Sequence, residues 1–150
     1  MAARVDDHAS WTGTATDPPR ASIVLVAEDD PLMRRLLTVA LMRVGFTVVD
    51  VSDGAELDRW IHRLVVRDHD HRCVDLIIAD QRMPSATGLD VLSHLRTVDQ
   101  QTPFILITAF GDRGTHEEAT RLGASCVLDK PFDFDTLRAV ALQYALPREV

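Results

Sequence analysis

The sequence has few aromatic residues, few cysteines and no long apolar run. Its 150 residues include one tyrosine, two tryptophans, five phenylalanines and two cysteines. Two cysteines, Cys73 and Cys126, cannot form the disulfide framework of a small secreted domain, so we expect free thiols in a reducing cytoplasm. No apolar stretch approaches the roughly 20 residues that span a bilayer. The N-terminus lacks the apolar centre of a signal peptide, so we expect a cytoplasmic protein without a membrane partner.

Basic residues are also scarce. Sixteen Lys and Arg residues stand against 23 Asp and Glu residues, which gives a formal net charge of −7. An acidic surface repels nucleic acid unless it carries a local basic patch, and no such patch occurs. Direct nucleic-acid binding is therefore not expected. The 46% hydrophobic and 26% charged content is typical of a globular domain.

The composition divides the chain into one domain and two tails. Residues 1–20 are rich in Ala, Ser, Thr, Asp and Pro without periodicity, which predicts a flexible N-terminal tail. Residues 21–146 form the domain, and residues 147–150 form a short C-terminal tail. The chain stops a few residues after the last predicted helix, so we expect a stand-alone domain without an attached output domain.

Short apolar runs alternate with helical patterns through the whole domain. Continuous β-branched runs without polar alternation predict strands covered on both faces. The predicted strands cover residues 23–27, 46–51, 74–80, 103–108 and 125–128. Apolar spacings of three and four, with capping residues, predict helices over residues 31–44, 55–66, from 87–88 through Leu95, 111–122 and 134–144. This alternation predicts a doubly wound α/β fold with a five-stranded parallel sheet.

Polar residues follow four of the five predicted strands. Glu28 and Asp29 follow the first strand, Asp80 ends the third, Thr108 ends the fourth and Lys130 follows the fifth. In open α/β sheets, functional groups collect at the carboxyl ends of the strands. If the strand order is 2-1-3-4-5, these side chains converge at one edge. Asp30, the next acid, suits the N-cap of the following helix better.

Three carboxylates brought this close repel one another, and a divalent cation with oxygen ligands relieves the repulsion. Mg²⁺ suits a site of one or two carboxylates and phosphate oxygens, whereas Ca²⁺ requires more ligands. A cation, a hydroxyl and an ammonium together can hold a phosphoryl group. The attacking group would then be a carboxylate, which gives an aspartyl-phosphate.

Four motifs in order resemble the receiver domain of bacterial two-component response regulators. They are VAEDDPLMRRLL, IIADQRMPSATGLDVL, ILITAF and VLDKPF, and the resemblance extends over about residues 22–146. It implies a flavodoxin-like (βα)5 fold with strand order 2-1-3-4-5, of the CheY-like superfamily. It also implies that Asp80 accepts a phosphoryl group.

The resemblance further implies a role for each matching residue. Glu28, Asp29 and Asp80 would hold Mg²⁺ or Mn²⁺, with Asp29 ligating directly and Glu28 through water. Arg82 would offer its backbone carbonyl to the same ion. Thr108 and Lys130 would contact the phosphoryl group. The peptide bond between Lys130 and Pro131 would be cis, which an X-Pro bond tolerates at modest cost.

Three positions depart from the family pattern or modulate it. Val127 stands where the family has an aromatic switch residue, so rotation of an aromatic ring is not available there. Phe110, two residues after Thr108, is the candidate for part of that role. Arg82 and Phe110 also occupy the two positions that flank the phosphoryl group, so we expect them to control the access of hydrolytic water.

The resemblance implies a signalling domain that catalyses only its own phosphorylation and dephosphorylation. A sensor histidine kinase or a histidine phosphotransfer protein would donate the phosphoryl group. Phosphorylation would then remodel the face built by the fourth helix, the fifth strand and the fifth helix. That face would contact a downstream protein target that the sequence does not identify. The resemblance also allows a homodimer that forms through the same face.

Three alternatives compete with this interpretation. A phosphatase of the haloacid-dehalogenase type also uses a strand-end aspartate, but it needs a second aspartate where Arg82 stands. A receiver-like adaptor would bind partners without phosphorylation, and its binding would be insensitive to Mg²⁺. A zinc site would draw on His62, His69, His71 and Cys73, which lack a second Cys/His pair at the right spacing.

Overall fold

The computed structural model describes residues 22–63, 74–109 and 112–147. These residues form five strands that alternate with five helices. The elements in chain order are β1 (Ile23–Ala27), α1 (Pro31–Met42), β2 (Thr47–Val51), α2 (Gly54–Ile61), β3 (Leu76–Asp80), α3 (Gly88–Val98), β4 (Phe104–Ala109), α4 (Arg113–Leu122), β5 (Cys126–Lys130) and α5 (Phe134–Tyr144). The sheet order is β2-β1-β3-β4-β5, and every neighbouring pair is parallel. The predicted fold and strand order are therefore confirmed.

The sheet lies between two layers of helices because its central strands are apolar on both faces. Every residue of β3 is buried. One face of the sheet packs against α1 and α5 through Leu37, Leu41 and Leu137. The other face packs against α2, α3 and α4, where Leu57 and Leu92 are fully buried. This burial on both faces accounts for the continuous apolar runs of the sequence.

Side-chain caps fix where the helices begin. Asp30 accepts a hydrogen bond from the backbone N–H of Leu32, and Asp133 accepts one from that of Thr136. Thr87 and Asp90 form a reciprocal capping box at the start of α3. These short polar side chains satisfy backbone N–H groups that have no partner inside the helix. The caps also hold the loops at the carboxyl edge of the sheet.

Several observed boundaries differ from the predicted ones by one to three residues, whereas β1 and α5 match their predicted ranges. The fourth helix begins at Arg113 rather than at residue 111, because Asp112 caps it by accepting from the backbone N–H of Thr115. The fifth strand continues to Lys130, two residues beyond its predicted end, because Asp129 and Lys130 pair with β4. Asp129 and Lys130 are polar, so a prediction based on apolar runs ends the strand too early.

Several expectations fall outside the described residues. They concern the tail of residues 1–20, the end of the second helix, His69, His71, Cys73, Phe110 and residues 148–150. Among the described residues, none of the helices is long and apolar enough to cross a membrane.

Candidate functional site

Parallel strands bring the polar strand-end residues to one edge of the sheet. Glu28 and Asp29 follow the last residue of β1, and Asp80 is the last residue of β3. In the strand register Asp80 pairs with Ile107, the residue before Thr108. Ala109 pairs with Lys130 at the end of β5. The predicted strand order therefore brings these positions together.

Three carboxylates form a compact acidic cluster at this edge. Glu28, Asp29 and Asp80 each offer an oxygen, and these oxygens all lie within 4.8 Å of one another. Glu28 and Asp80 are buried, whereas Asp29 is exposed. Within the ranges that the structure describes, no other group of three or more acidic, His or Cys side chains is so close. The cluster is thus open to solvent on the side of Asp29.

Lys130 lies against the two buried acids. Its Nζ is 3.2 Å from Asp80 Oδ1 and 3.6 Å from Glu28 Oε1. The lysine side chain is about one third exposed, so the ammonium lies at the mouth of the cluster. The peptide bond that joins Lys130 to Pro131 is cis. An ammonium in this position can neutralise negative charge that arrives at Asp80.

Burial and mutual repulsion disfavour the ionised forms of the two buried acids. Desolvation raises the pKa of Asp80, and Asp29 adds to the effect, while Lys130 opposes it. Desolvation also raises the pKa of Glu28, with Asp80 as the next cause. Burial alone would lower the pKa of Lys130, but Asp80 and Glu28 together outweigh it and raise that pKa. The cluster holds more negative charge than Lys130 can balance.

The acidic cluster fits a hard divalent cation. Glu28 Oε1 is buried and has no hydrogen-bond partner, which is an unfavourable state for a carboxylate oxygen. A cation bound among the three oxygens would offset both this cost and the repulsion. Glu28, Asp29 and Asp80 supply the oxygen ligands that Mg²⁺ prefers in proteins.

The loop after β3 is fixed by contacts of Gln81. The Gln81 backbone N–H donates to the carbonyl of Ile107, and its side-chain Oε1 accepts from the backbone N–H of Leu89. Its own carbonyl accepts from the N–H of Gly88. Arg82, the next residue, is exposed. The loop therefore has an anchored start and presents the Arg82 position at the surface beside Asp80.

The two positions that the family resemblance connects with a switch, Thr108 and Val127, differ in burial. Thr108 is buried at the end of β4. Val127 is half-buried and packs against the core on the α2–α3–α4 face of the sheet. The valine side chain is small and has no polar group. Phe110 lies outside the described residues.

Two contacts near the site were not expected from the sequence. His116 Nε2 on α4 is 2.6 Å from Oδ1 of Asp129, the residue before Lys130. Arg34 Nη1 on α1 donates to the backbone carbonyl of Glu28 at 2.9 Å. Spacing along the chain gives no sign of the first contact, because it joins two elements. The second joins residues six apart, but Glu28 precedes α1, so helical spacing gives no sign of it either.

Comparison with known proteins places the chain in a family. The family model described as the response regulator receiver domain matches residues 24–142. The regulatory protein AtoC of Escherichia coli (strain K12) is 32% identical over 117 residues, which are 78% of this chain and 24% of AtoC. Sporulation initiation phosphotransferase F of Bacillus subtilis (strain 168) is 26% identical over 122 residues, 81% of this chain and 91% of that protein.

Solved structures have the same fold. The receiver domain of the Francisella response regulator 1452 has a TM-score of 0.70 and 27% identity, covering 82% of this chain and 96% of that one. The chemotaxis protein CheY4 of Vibrio cholerae has a TM-score of 0.72 at 24% identity, covering 83% and 99%. The chain spans about a quarter of the length of AtoC, 24%. It belongs to the response regulator receiver domain family, the signalling domain of two-component systems.

Proposed function

We propose that Asp80 accepts a phosphoryl group from a sensor histidine kinase or a histidine phosphotransfer protein, in a reaction that requires Mg²⁺ or Mn²⁺. The observation that carries this proposal is the position of Asp80. Its buried carboxylate lies 3.2 Å from the Lys130 ammonium, within the acidic cluster of Glu28 and Asp29. A cation held there would supply charge neutralisation for the incoming phosphoryl oxygens. We place the protein in the cytoplasm with its donor.

The chain's own residues account for the remaining requirements of the transfer. The phosphorus–nitrogen bond of the donor's phosphohistidine breaks as an oxygen of Asp80 bonds to phosphorus. Lys130 faces that oxygen and stabilises the negative charge on the phosphoryl group. Thr108, at the end of the adjacent strand, provides a hydroxyl donor once the group is bound. The Arg82 backbone carbonyl is a further candidate ligand of the cation.

Labelling by a small phosphodonor tests the assignment of Asp80. The wild-type chain in acetyl phosphate and Mg²⁺ should gain the mass of one phosphoryl group. Asp80→Asn should gain none, while Asp58→Asn, a control at a partly exposed aspartate on α2, should be labelled like the wild type. Lack of labelling in the wild type, or labelling of one site in Asp80→Asn, would refute the proposal.

An exposed apolar stripe on α1 supports a protein donor. Leu32, Leu36, Val39 and Met42 are 67%, 43%, 36% and 57% exposed, and α1 begins two residues after Asp29. An apolar surface beside the acidic cluster suits the flank of a helical donor. Leu36→Gln should therefore slow transfer from a phosphorylated histidine kinase without slowing labelling by acetyl phosphate. Leu142→Gln, on α5 with 36% exposure, is the control.

We propose that the signal leaves through the face of α4, β5 and α5. Ala119 is the one fully buried residue among those described in α4, so this helix is held by few apolar contacts and can move at low cost. Beryllofluoride, which mimics the phosphoryl group, should change amide exchange in α4 and not in α2. Sedimentation of the same complex should reveal any homodimer through this face.

A further inference from the structure

Arg34 joins the loop of the acidic pair to the edge of the sheet. Its Nη1 donates to the Glu28 carbonyl at 2.9 Å, and its Nε lies 3.4 Å from Asp50 Oδ2 on β2. The Glu28 backbone N–H donates to the carbonyl of Val51 at 3.1 Å. Both polar groups of the Glu28 backbone are thus held, the N–H by β2 directly and the carbonyl by an arginine that β2 itself orients.

The backbone of Glu28 determines where two candidate ligands lie. The Glu28 side chain is buried and accepts from the backbone N–H of Asp30 at 3.2 Å, which leaves its other oxygen facing Lys130. Asp29 is exposed, so its carboxylate has little surrounding packing to hold it in place. The position of the Asp29 carboxylate therefore depends on the backbone that Arg34 holds. Metal ligands need placement within about 0.5 Å to bind well.

We propose that Arg34 is a positioning residue of the cation site: it fixes the loop after β1 so that the Glu28 and Asp29 carboxylates meet Asp80. This inference rests on the proposed function, because it concerns the same cation. Arg34 acts through the Glu28 carbonyl. Asp50 holds the guanidinium in the orientation that reaches this carbonyl.

The sign of the effect on Mg²⁺ affinity separates positioning from simple electrostatics. A guanidinium near a cation site repels the cation, so the loss of its charge alone would tighten Mg²⁺ binding. Loss of positioning would weaken it, as removal of groups that orient metal ligands commonly does by about 10- to 100-fold. Arg35, the next residue on α1, is exposed and carries the same charge. It provides the matched control for the electrostatic effect.

Calorimetric titration of the full chain with MgCl₂ tests the inference. Arg34→Met should weaken Mg²⁺ binding about tenfold, while Arg35→Met should leave it unchanged or slightly tighter. Arg34→Lys should fall between wild type and Arg34→Met, since one ammonium can reach the Glu28 carbonyl but cannot contact Asp50 at the same time. Asp50→Asn should weaken binding less than Arg34→Met does.

Three outcomes would overturn either the positioning role of Arg34 or the proposed function. Mg²⁺ affinity in Arg34→Met equal to or tighter than that in Arg35→Met would overturn the positioning role. If Arg34→Met does not fold, as judged by circular dichroism, Arg34→Lys and Asp50→Asn decide, and wild-type affinity in both would overturn it. If the wild type binds no Mg²⁺, or Asp29→Asn binds it equally well, the proposed function itself fails, whatever the Arg34 variants do.

Discussion

His116 Nε2 on α4 lies 2.6 Å from Asp129 Oδ1 on β5, and this contact ties the most weakly packed helix to the strand that ends in Lys130. Asp129 pairs in register with Thr108. The two partners are each about one third exposed. The contact therefore links α4 to the two strands that carry Thr108 and Lys130.

Removal of His116 should loosen α4. A partly exposed hydrogen bond of this kind contributes roughly 0.5–1 kcal/mol, so amide exchange in residues 113–122 of His116→Ala should be about two- to fivefold faster than in the wild type. Glu117→Ala, at an exposed neighbouring position, is the control. Hydrogen exchange followed by mass spectrometry measures the effect. Equal exchange rates in the two variants would show that the contact does not hold the helix.

Close packing between α2 and the loop after β3 should make Gly54 intolerant of a side chain. A Cβ at Gly54 would lie 2.1 Å from the carbonyl oxygen of Ala86, a backbone atom that cannot move aside alone. Gly54→Ala should therefore cost about 1–3 kcal/mol in the free energy of unfolding. It should also weaken Mg²⁺ binding, because the same loop carries Arg82. Urea unfolding and calorimetry measure the two effects.

Gly114 provides the control for this substitution. A Cβ there would have no heavy atom within 4 Å, and the residue lies inside α4. Gly114→Ala should raise the free energy of unfolding by about 0.5–1 kcal/mol, since alanine loses less backbone entropy in a helix. A destabilised Gly114→Ala together with a neutral Gly54→Ala would contradict the packing described for both sites.

The raised pKa of Asp80 predicts how stability depends on pH when Mg²⁺ is removed with a chelator. Because the folded state binds this proton more tightly than the unfolded state, stability from Asp80 is greatest below about pH 4, its ordinary range, and falls as pH rises through the higher folded pKa. Asp80→Asn removes this pH-dependent contribution to the free energy of unfolding. The variant should therefore be more stable than the wild type at neutral pH, and this difference should shrink as the pH falls.

Urea unfolding at a series of pH values measures that difference. Other acids contribute in the opposite direction; for example, hydrogen bonds from Thr115 lower the pKa of Asp112. Acids remote from Asp80 contribute equally to both proteins and cancel. Glu28 does not cancel, because burial and the Asp80 charge raise its pKa, and it adds to the difference in the same direction. Addition of Mg²⁺ should stabilise the wild type, increasingly with pH, and leave Asp80→Asn unchanged. Parallel pH curves in the chelator would contradict the burial effect on Asp80.

The sequence was sufficient for the fold and for the chain positions of the site. Apolar runs such as Ile23–Ala27 mark strands covered on both faces, and the ends of such strands meet by topology alone. The acidic pair and Asp80 stand directly at those ends, so no side-chain detail was needed to bring them together. The strand order alone therefore predicts that these side chains lie close together.

Contacts between side chains of different elements could not be predicted in the same way. His116 and Asp129 are 13 residues apart on elements of different type, and their contact depends on how α4 lies across β5. The contacts of Arg34 with Asp50 and with the Glu28 carbonyl depend on the rotamer of the arginine side chain and on the neighbouring edge strand β2. Periodicity reports which face of a helix is apolar, but it carries no information on where a long polar side chain ends.

Arg82 should control how long the phosphoryl group survives on Asp80. Arg82 is exposed and lies two residues beyond Asp80, after the anchored Gln81. The resemblance to the family implies that its side chain flanks the phosphoryl group, where we expect it to restrict the approach of water. Arg82→Ala should shorten the half-life of the phosphorylated chain by about three- to tenfold, equivalent to roughly 0.7–1.4 kcal/mol of the barrier. Arg113→Ala, an exposed arginine on α4, is the control.

The double variant Arg82→Ala, Phe110→Ala should lose the phosphoryl group at least as fast as Arg82→Ala, because both positions flank it by resemblance to the family. Loss of the label after removal of acetyl phosphate, followed by intact mass, gives the rate in each protein. The Mg²⁺ affinity of each variant is measured in parallel, because a changed affinity would alter the rate by another route. A wild-type half-life in the double variant would show that neither side chain restricts the hydrolytic water.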